Sequence, residues 1–580
     1  MRSLCLAGLG RLAPLALALA LAAHPAAAAE SAGFAGDGPW QVKVYFAGPA
    51  DLQLLGERFD HFARERATGA ILVFAADRSD LDWLAERGLW VELDAERTRW
   101  IEDGARAAAL TEAPLAGIPG FPCYRTVEET FAAAQAIVAA HPDLAAWVDV
   151  GDSWQKSVDS ATGYDMNVLV LTNHAIPGPK PRFFVTSAIH AREYTTAESV
   201  TRFAEQLVAG YGSDADATWL LDWHEIHLLL LTNPDGRKKA EAGQLWRKNV
   251  DTNTCVIASQ DGVDLNRNFA FQWACCGGSS SQGCNDTYRG PVAGSEPEVQ
   301  AVTNYLRSQY ADLRAADPDV PAADDVAGVY LDVHSFGEWV ITPYTFRDPG
   351  EGSPNLDEYN RFAHRLAWYS GFEPLVGGPY VADGTTSDFG YGDLGVASIA
   401  FELGTAFFES CTSFENDVLP GTFAMLRYAA RVARAPYRLP AGPDAIDLAL
   451  AASPVAAGMP ARLTARIDDT RTSTLGGLLP SQSIFSATAY VDTPPWAAGA
   501  QPRSLAPADG AFDTPSENAE VTLETGALAA GRHLVFVQGR DTDGDDGPVS
   551  AMFLDVTAST ILFADDFETG GTDRWSATGT

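Results

Sequence analysis

Between residues 127 and 434, short apolar runs alternate with stretches of helical spacing, a pattern that neither an all-α nor an all-β domain accommodates. The runs Asn167–Leu171, Phe183–Ile189, Ile226–Leu231, Val329–Val333 and Ser398–Leu403 are rich in Val, Ile, Leu and Phe. The stretches Val127–Ala140, Ala197–Ala209, Glu296–Ser308, Asn355–Ser370 and Gly421–Arg434 instead space their apolar residues for one helix face. Strands covered on both sides read as continuous apolar runs, and the connecting helices supply the cover. The expectation for 121–439 is therefore an α/β domain, a mixed twisted sheet with helices on both faces.

The flanks read differently. Residues 38–100 suggest a compact α+β unit, with strands at Trp40–Phe46, Ala70–Phe74 and Leu89–Leu93 and helices over Asp51–Ala67 and Ser79–Gly88. The stretch 101–120, rich in Ala, Gly and Pro, reads as a linker, with Arg106 in it and Arg97 and Arg99 just before it open to proteases. From 444 to 557, short alternating strands separated by Gly, Pro and Asp turns predict a β-sandwich, followed by a flexible tail over 558–580. The segment Asp541–Gly547 lacks the Gly at position six and the Glu at position twelve of an EF-hand, and it reads as a turn.

Residues 1–29 carry Arg2 and Arg11, an apolar run over 12–23 and small residues before Glu30, the pattern of a secretory signal. No later run is long enough for a membrane span, so the expectation is an exported, soluble monomer. Apart from Cys5, six cysteines remain, an even number that favours disulfides in an exported protein and allows fifteen pairings. A net charge of −36 argues against nucleic acid or an anionic membrane as partner.

The loop leaving the run at Phe183–Ile189 reads His190-Ala191-Arg192-Glu193. An imidazole and a carboxylate three residues apart can face one ion, and a third ligand completes a catalytic zinc site with an open position. His334, at the end of Val329–Val333, is placed to be that ligand. A His-x-x-His spacing, His224 to His227, precedes an apolar run and is read as opening a strand on a surface edge. Glu402 is an acid set among Ile399, Ala400, Phe401 and Leu403, and a carboxylate in such company is paired or functional. Between His334 and Glu402, residues 379–389 form a Gly-bearing aromatic flap. Arg247, in Trp246-Arg247-Lys248, and Arg267, in Asn266-Arg267-Asn268, supply cations for an oxyanion or a carboxylate.

The order His-x-x-Glu, Trp-Arg-Lys, Asp-x-Asn-Arg-Asn, Thr-Tyr-Arg-Gly-Pro, His-Ser, Tyr-x-Ala-x-Gly and Phe-Glu-Leu resembles the zinc metallocarboxypeptidases of the pancreatic carboxypeptidase type, across the whole of 123–439. The resemblance implies an exported bacterial member hydrolysing the last peptide bond of peptides and proteins that carry a free carboxylate. It assigns one Zn2+ to His190, Glu193 and His334, carbonyl polarisation to Arg247, and the general base to Glu402. Asn266 and Arg267 would clamp the terminal carboxylate, Arg192 would touch substrate further out, and Tyr380, 22 residues before Glu402, would be the flap tyrosine. It also implies that Asp264 supports the first zinc histidine, that Cys255 pairs with Cys284, and that 38–100 is an inhibitory prodomain of a proenzyme.

Specificity departs from the family pattern, because Ser387 stands where members carry an Asp or a large aliphatic residue. Leu375 and Ala400, expected beside it, favour apolar or broad preference, whereas Asp383 offers a partner for Lys or Arg. Two other functions fit parts of the pattern: a cell-wall peptide amidase or endopeptidase of the same fold, and an inactive binding protein that displays the β-sandwich.

Overall fold

The computed structural model describes residues 38–558 except 47–48, 57, 60–61, 66–67 and 111–115, together with Phe34. The signal-peptide and tail readings fall on 1–29 and on residues from 559 onward, outside the described residues.

The central domain is built on eight strands, β1 (Ala145–Asp152), β2 (Asp165–Leu171), β3 (Arg182–Ser187), β4 (Glu225–Leu229), β5 (Val329–His334), β6 (Trp339–Thr342), β7 (Glu373–Val376) and β8 (Ala397–Glu402). Their order across the sheet is β7-β6-β8-β5-β3-β4-β2-β1. The four middle strands, β8, β5, β3 and β4, run parallel, and antiparallel pairs at β6–β8 and β2–β4 make the sheet mixed.

Successive side chains of a strand point to opposite faces, so each middle strand feeds two cores. Phe183, Val185, Val329, Leu331 and Val333 pack with Val200, Phe203, Phe362, Leu366 and Leu426 of the helices Tyr194–Gly210, Leu356–Ser370 and Leu419–Val432. Phe184 and Tyr330 face the other way, onto Val299, Val302 and Leu306 of the helix Pro297–Gln309. Three disulfides, Cys123–Cys411, Cys255–Cys284 and Cys275–Cys276, tie the domain, the second being the pair the resemblance implied.

The amino-terminal segment forms a four-stranded sheet ordered Ala63–Arg64, Ile71–Ala76, Trp40–Tyr45, Trp90–Leu93. Its first helix is shorter than the apolar spacing predicted and ends at Gly56, because Phe59 and Phe62 turn inward to share one apolar cluster with Trp339, Ile341 and Ala400 of the central domain. The stretch read as a linker begins as a helix, Ala95–Leu110, consistent with its run of strong helix formers. Within that helix Arg97 pairs with Asp94 at 2.7 Å and donates to Thr405 Oγ1 at 3.1 Å, so it is not an open protease site.

Two further sheets, of four and five strands, enclose a separate core between Ala445 and Val556. They lie against the central domain through buried contacts such as Arg365 Nη2 to Asp469 Oδ1 at 2.6 Å, Tyr369 Oη to Asp444 Oδ2 at 2.9 Å, and Trp219 against Trp496. The segment 541–547 is a turn in which the Asp545 amide donates to Asp541 Oδ1. No described helix is long and apolar enough to cross a membrane.

His224 and His227 do not open a strand on a surface edge. The strand they open, β4, lies inside the sheet between β3 and β2, because its apolar run is covered on both faces. His224 is fully buried against Trp219, and burial pushes its pKa down to about 3. His227 accepts or donates at Nδ1 to the Tyr305 hydroxyl, 2.7 Å away.

Candidate metal centre and catalytic cleft

Open sheets place their sites beyond the carboxyl ends of parallel strands, where loops diverge, and here β3, β5 and β8 end at one level. His190 and Glu193 lie on the turn between β3 and the helix Tyr194–Gly210, whose N-cap is Glu193. The turn is fixed by Ala188 at φ 51°, whose amide donates to Thr196 Oγ1, and by the Ala191 amide donating to the Arg247 carbonyl. His334 is the last residue of β5 and Glu402 the last of β8.

His190 Nδ1 lies 2.7 Å from Glu193 Oε1 and 3.2 Å from His334 Nδ1, while Glu193 Oε2 lies 3.4 Å from His334 Nδ1. Ligand atoms of these three buried residues fall within 4.8 Å of one another, as binding to a single ion requires. The other ring nitrogens are occupied: His190 Nε2 is 3.1 Å from Asp264 Oδ1, and His334 Nε2 is 2.8 Å from Asp332 Oδ2. Carboxylates at the remote nitrogens fix ring tautomer and orientation, the usual support for metal-binding imidazoles. Two imidazoles and one carboxylate are also the donor set a catalytic zinc takes.

Charge is balanced locally. Burial opposes ionisation of Asp264, but Arg247 and His190 outweigh it and hold the carboxyl well below the usual range. Arg247 donates from Nε and Nη2 to Asp264 Oδ2 at 3.2 and 2.8 Å, so one carboxylate orients both a metal-facing ring and a guanidinium.

One cleft gathers His190, His334, Arg247, Asn266, Arg267, Tyr380, Ser387 and Glu402. Arg192 stands outside it, over the Phe407 ring at 4.2 Å and 3.6 Å from Asp286. Ala400 lines the cavity as expected, together with Ile341, Thr345 and Ala382. Leu375 does not, because β7 turns it into the apolar cluster shared with Phe62 and Trp339. Asp383 also departs from expectation: it is fully buried, and its carboxylate accepts from the amides of Cys276 and Gly278 and from the Ser279 hydroxyl, so it is no partner for a substrate cation.

Asp332 is the site residue the sequence reading passed over. It precedes His334 by two positions in one strand, which places both side chains on the same face, and an acid within Val329–Val333 is the signal that could have found it.

Residues 131–414 match the family model described as zinc carboxypeptidase. Carboxypeptidase A2 of Rattus norvegicus is 31% identical over 302 residues, covering 50% of this chain and 64% of the relative. Carboxypeptidase B2 of Bos taurus is 28% identical over 309 residues, covering 50% and 66%. The chain thus spans just under two thirds of the length of these relatives. Among solved structures, carboxypeptidase A from Helicoverpa armigera superposes with a TM-score of 0.54 at 22% identity, over 69% of this chain and 98% of the other, a likeness of fold.

Proposed function

We propose that this chain, whose residues 131–414 match the zinc carboxypeptidase family, is an exported zinc-dependent exopeptidase, made as a proenzyme, that removes the last residue of peptides and proteins. The observation that supports this is the cleft in which His190 and His334, grouped with the buried Glu193, meet Glu402 and two arginines.

Zinc held by His190, Glu193 and His334 would supply Lewis acidity, polarising a substrate carbonyl and making water more acidic. Glu402, at the rim of the same cavity, takes the proton from the attacking water and returns it to the leaving amine. Arg247, its plane fixed by Asp264, donates to the oxygen on which negative charge develops. Arg267 and Asn266 hold the terminal carboxylate: a guanidinium receives a carboxylate through two parallel hydrogen bonds, which restricts cleavage to the chain end. Tyr380 closes over the bound residue.

The side chain released is neutral. Ile341, Ala382 and Ala400 offer apolar walls, Ser387 is a small hydroxyl, and Asp383 is committed elsewhere. The amino-terminal unit would restrain the enzyme until cleaved, since Phe62 lies 5.8 Å from the rings of both Trp339 and Tyr380 and packs over the cavity wall.

The test compares release of the terminal residue from a peptide and from its carboxy-terminal amide. Preference for the free acid supports the exopeptidase, whereas equal cleavage of both contradicts it and favours an amidase.

A further inference from the structure

Arg267 is not held by a side chain of its own segment. Its Nε donates to the carbonyl of Gly278 at 3.0 Å and its Nη1 to the carbonyl of Asn266 at 2.8 Å, so the carbonyl of a distant loop sets the direction of the guanidinium. That loop has no regular secondary structure, and its position comes from elsewhere. The amide of Gly278 donates to Asp383 Oδ2 at 3.0 Å, the amide of Cys276 to the same oxygen at 3.1 Å, and the Ser279 hydroxyl to Asp383 Oδ1. Gly278 is pressed so close that a Cβ there would meet the Ala382 Cα and the Asp383 amide nitrogen at 2.6 Å. The disulfide Cys275–Cys276 stiffens the loop immediately before these contacts.

A fully buried carboxylate is costly, and one that accepts three donors from a single loop returns that cost as loop geometry. Asp383 also belongs to the flap that carries Tyr380, three residues earlier. We propose that Asp383 is the positioning residue of the carboxylate clamp: by holding 276–279 it fixes the Gly278 carbonyl, and through it the Arg267 guanidinium, coupling the flap to recognition of the substrate's terminus. This rests on Arg267 being the clamp, as argued under the proposed function. Asp383 acts on binding of the free carboxylate, not on the chemical step.

The experiment uses full-length chain, zinc-loaded and processed identically for wild type, Asp383→Asn and Ser279→Ala. Each is assayed on an N-acylated dipeptide and on its carboxy-terminal amide, with zinc content and thermal midpoint measured in parallel. For Asp383→Asn the expected result is a KM for the free acid raised about tenfold, equivalent to about 1.4 kcal/mol, at a kcat within about twofold of wild type. The preference for acid over amide falls by the same factor at unchanged zinc content, and Ser279→Ala moves it the same way by less. An unchanged preference in Asp383→Asn overturns the proposal, as does a parallel loss of kcat and zinc, which would mark a merely structural role. If Asp383→Asn does not fold, Ser279→Ala decides, and an unchanged preference there overturns it. A wild type that cleaves acid and amide equally removes the clamp itself, and the proposal with it. A wild type that discriminates while the variants match it refutes the positioning role alone.

Discussion

Glu402 and His334 are register partners across the parallel pair β8–β5, each the last residue of its strand. The distance between the proposed base and the proposed ligand is therefore set by backbone pairing and not by loop conformation. A base held this way can lose its carboxylate without disturbing the ligand set. Glu402→Gln is expected to retain zinc and its thermal midpoint while kcat falls about 10²- to 10⁴-fold, the range for loss of a general base. Metal analysis beside steady-state kinetics checks it; full turnover in the variant would contradict the role.

Asp264 ties two functions together, holding the Nε2 side of His190 and the guanidinium of Arg247. Asp264→Asn keeps the shape but removes the charge that both partners use. Zinc affinity is expected to weaken about 10- to 100-fold, as for other supports of metal-binding histidines. Titration with a competing chelator measures this, and restoring saturating zinc should recover only part of kcat because Arg247 stays misaligned.

Glu298 offers a pH test away from the metal. It is fully buried, and burial, partly offset by the amide of Trp154 donating at 2.7 Å, pushes its pKa from 4.5 up to about 8. The folded state therefore binds this proton more tightly than the unfolded chain does. Its contribution to stability is full below about pH 4.5 and is lost as the pH rises towards 8. Glu298→Gln should flatten the fall in urea midpoint across that window; an unchanged slope would show that Glu298 is ionised in the fold.

The middle of the sheet was legible because its strands are buried on both faces and leave an unbroken apolar trace, as at Phe183–Val185 and Val329–Val333. Other strands were not: the edge strands β1 and β7 have one open side, and β6, inside the sheet next to β7, is only Trp339–Thr342, too short for periodicity to register. The ligand candidates could be read because they sit at strand ends, where His or Glu interrupts an apolar run. Asp383 was misassigned for the opposite reason, since nothing local reveals that its three donors come from residues about a hundred positions earlier. His224 and His227 were misplaced because an apolar run looks alike at the edge and at the centre of a sheet.

Phe62 of the amino-terminal unit is buried between Trp339 and Tyr380, with Gly56 so near the flap that a Cβ would meet Tyr380 Cβ at 2.9 Å. Removing a buried Phe ring costs about 3–5 kcal/mol in a core, and because Phe62 shares one cluster with Val42, Val44 and Ile71 of its own unit and with Trp339 and Ile341 of the central domain, the loss weakens the unit and its docking together. Phe62→Ala is therefore expected to raise the activity of the unprocessed chain towards that of the processed enzyme, while the processed form keeps its kcat/KM. Assaying a free-acid dipeptide before and after limited proteolysis separates the two. Should the unprocessed variant stay as inactive as wild type, restraint of the cleft does not run through this contact.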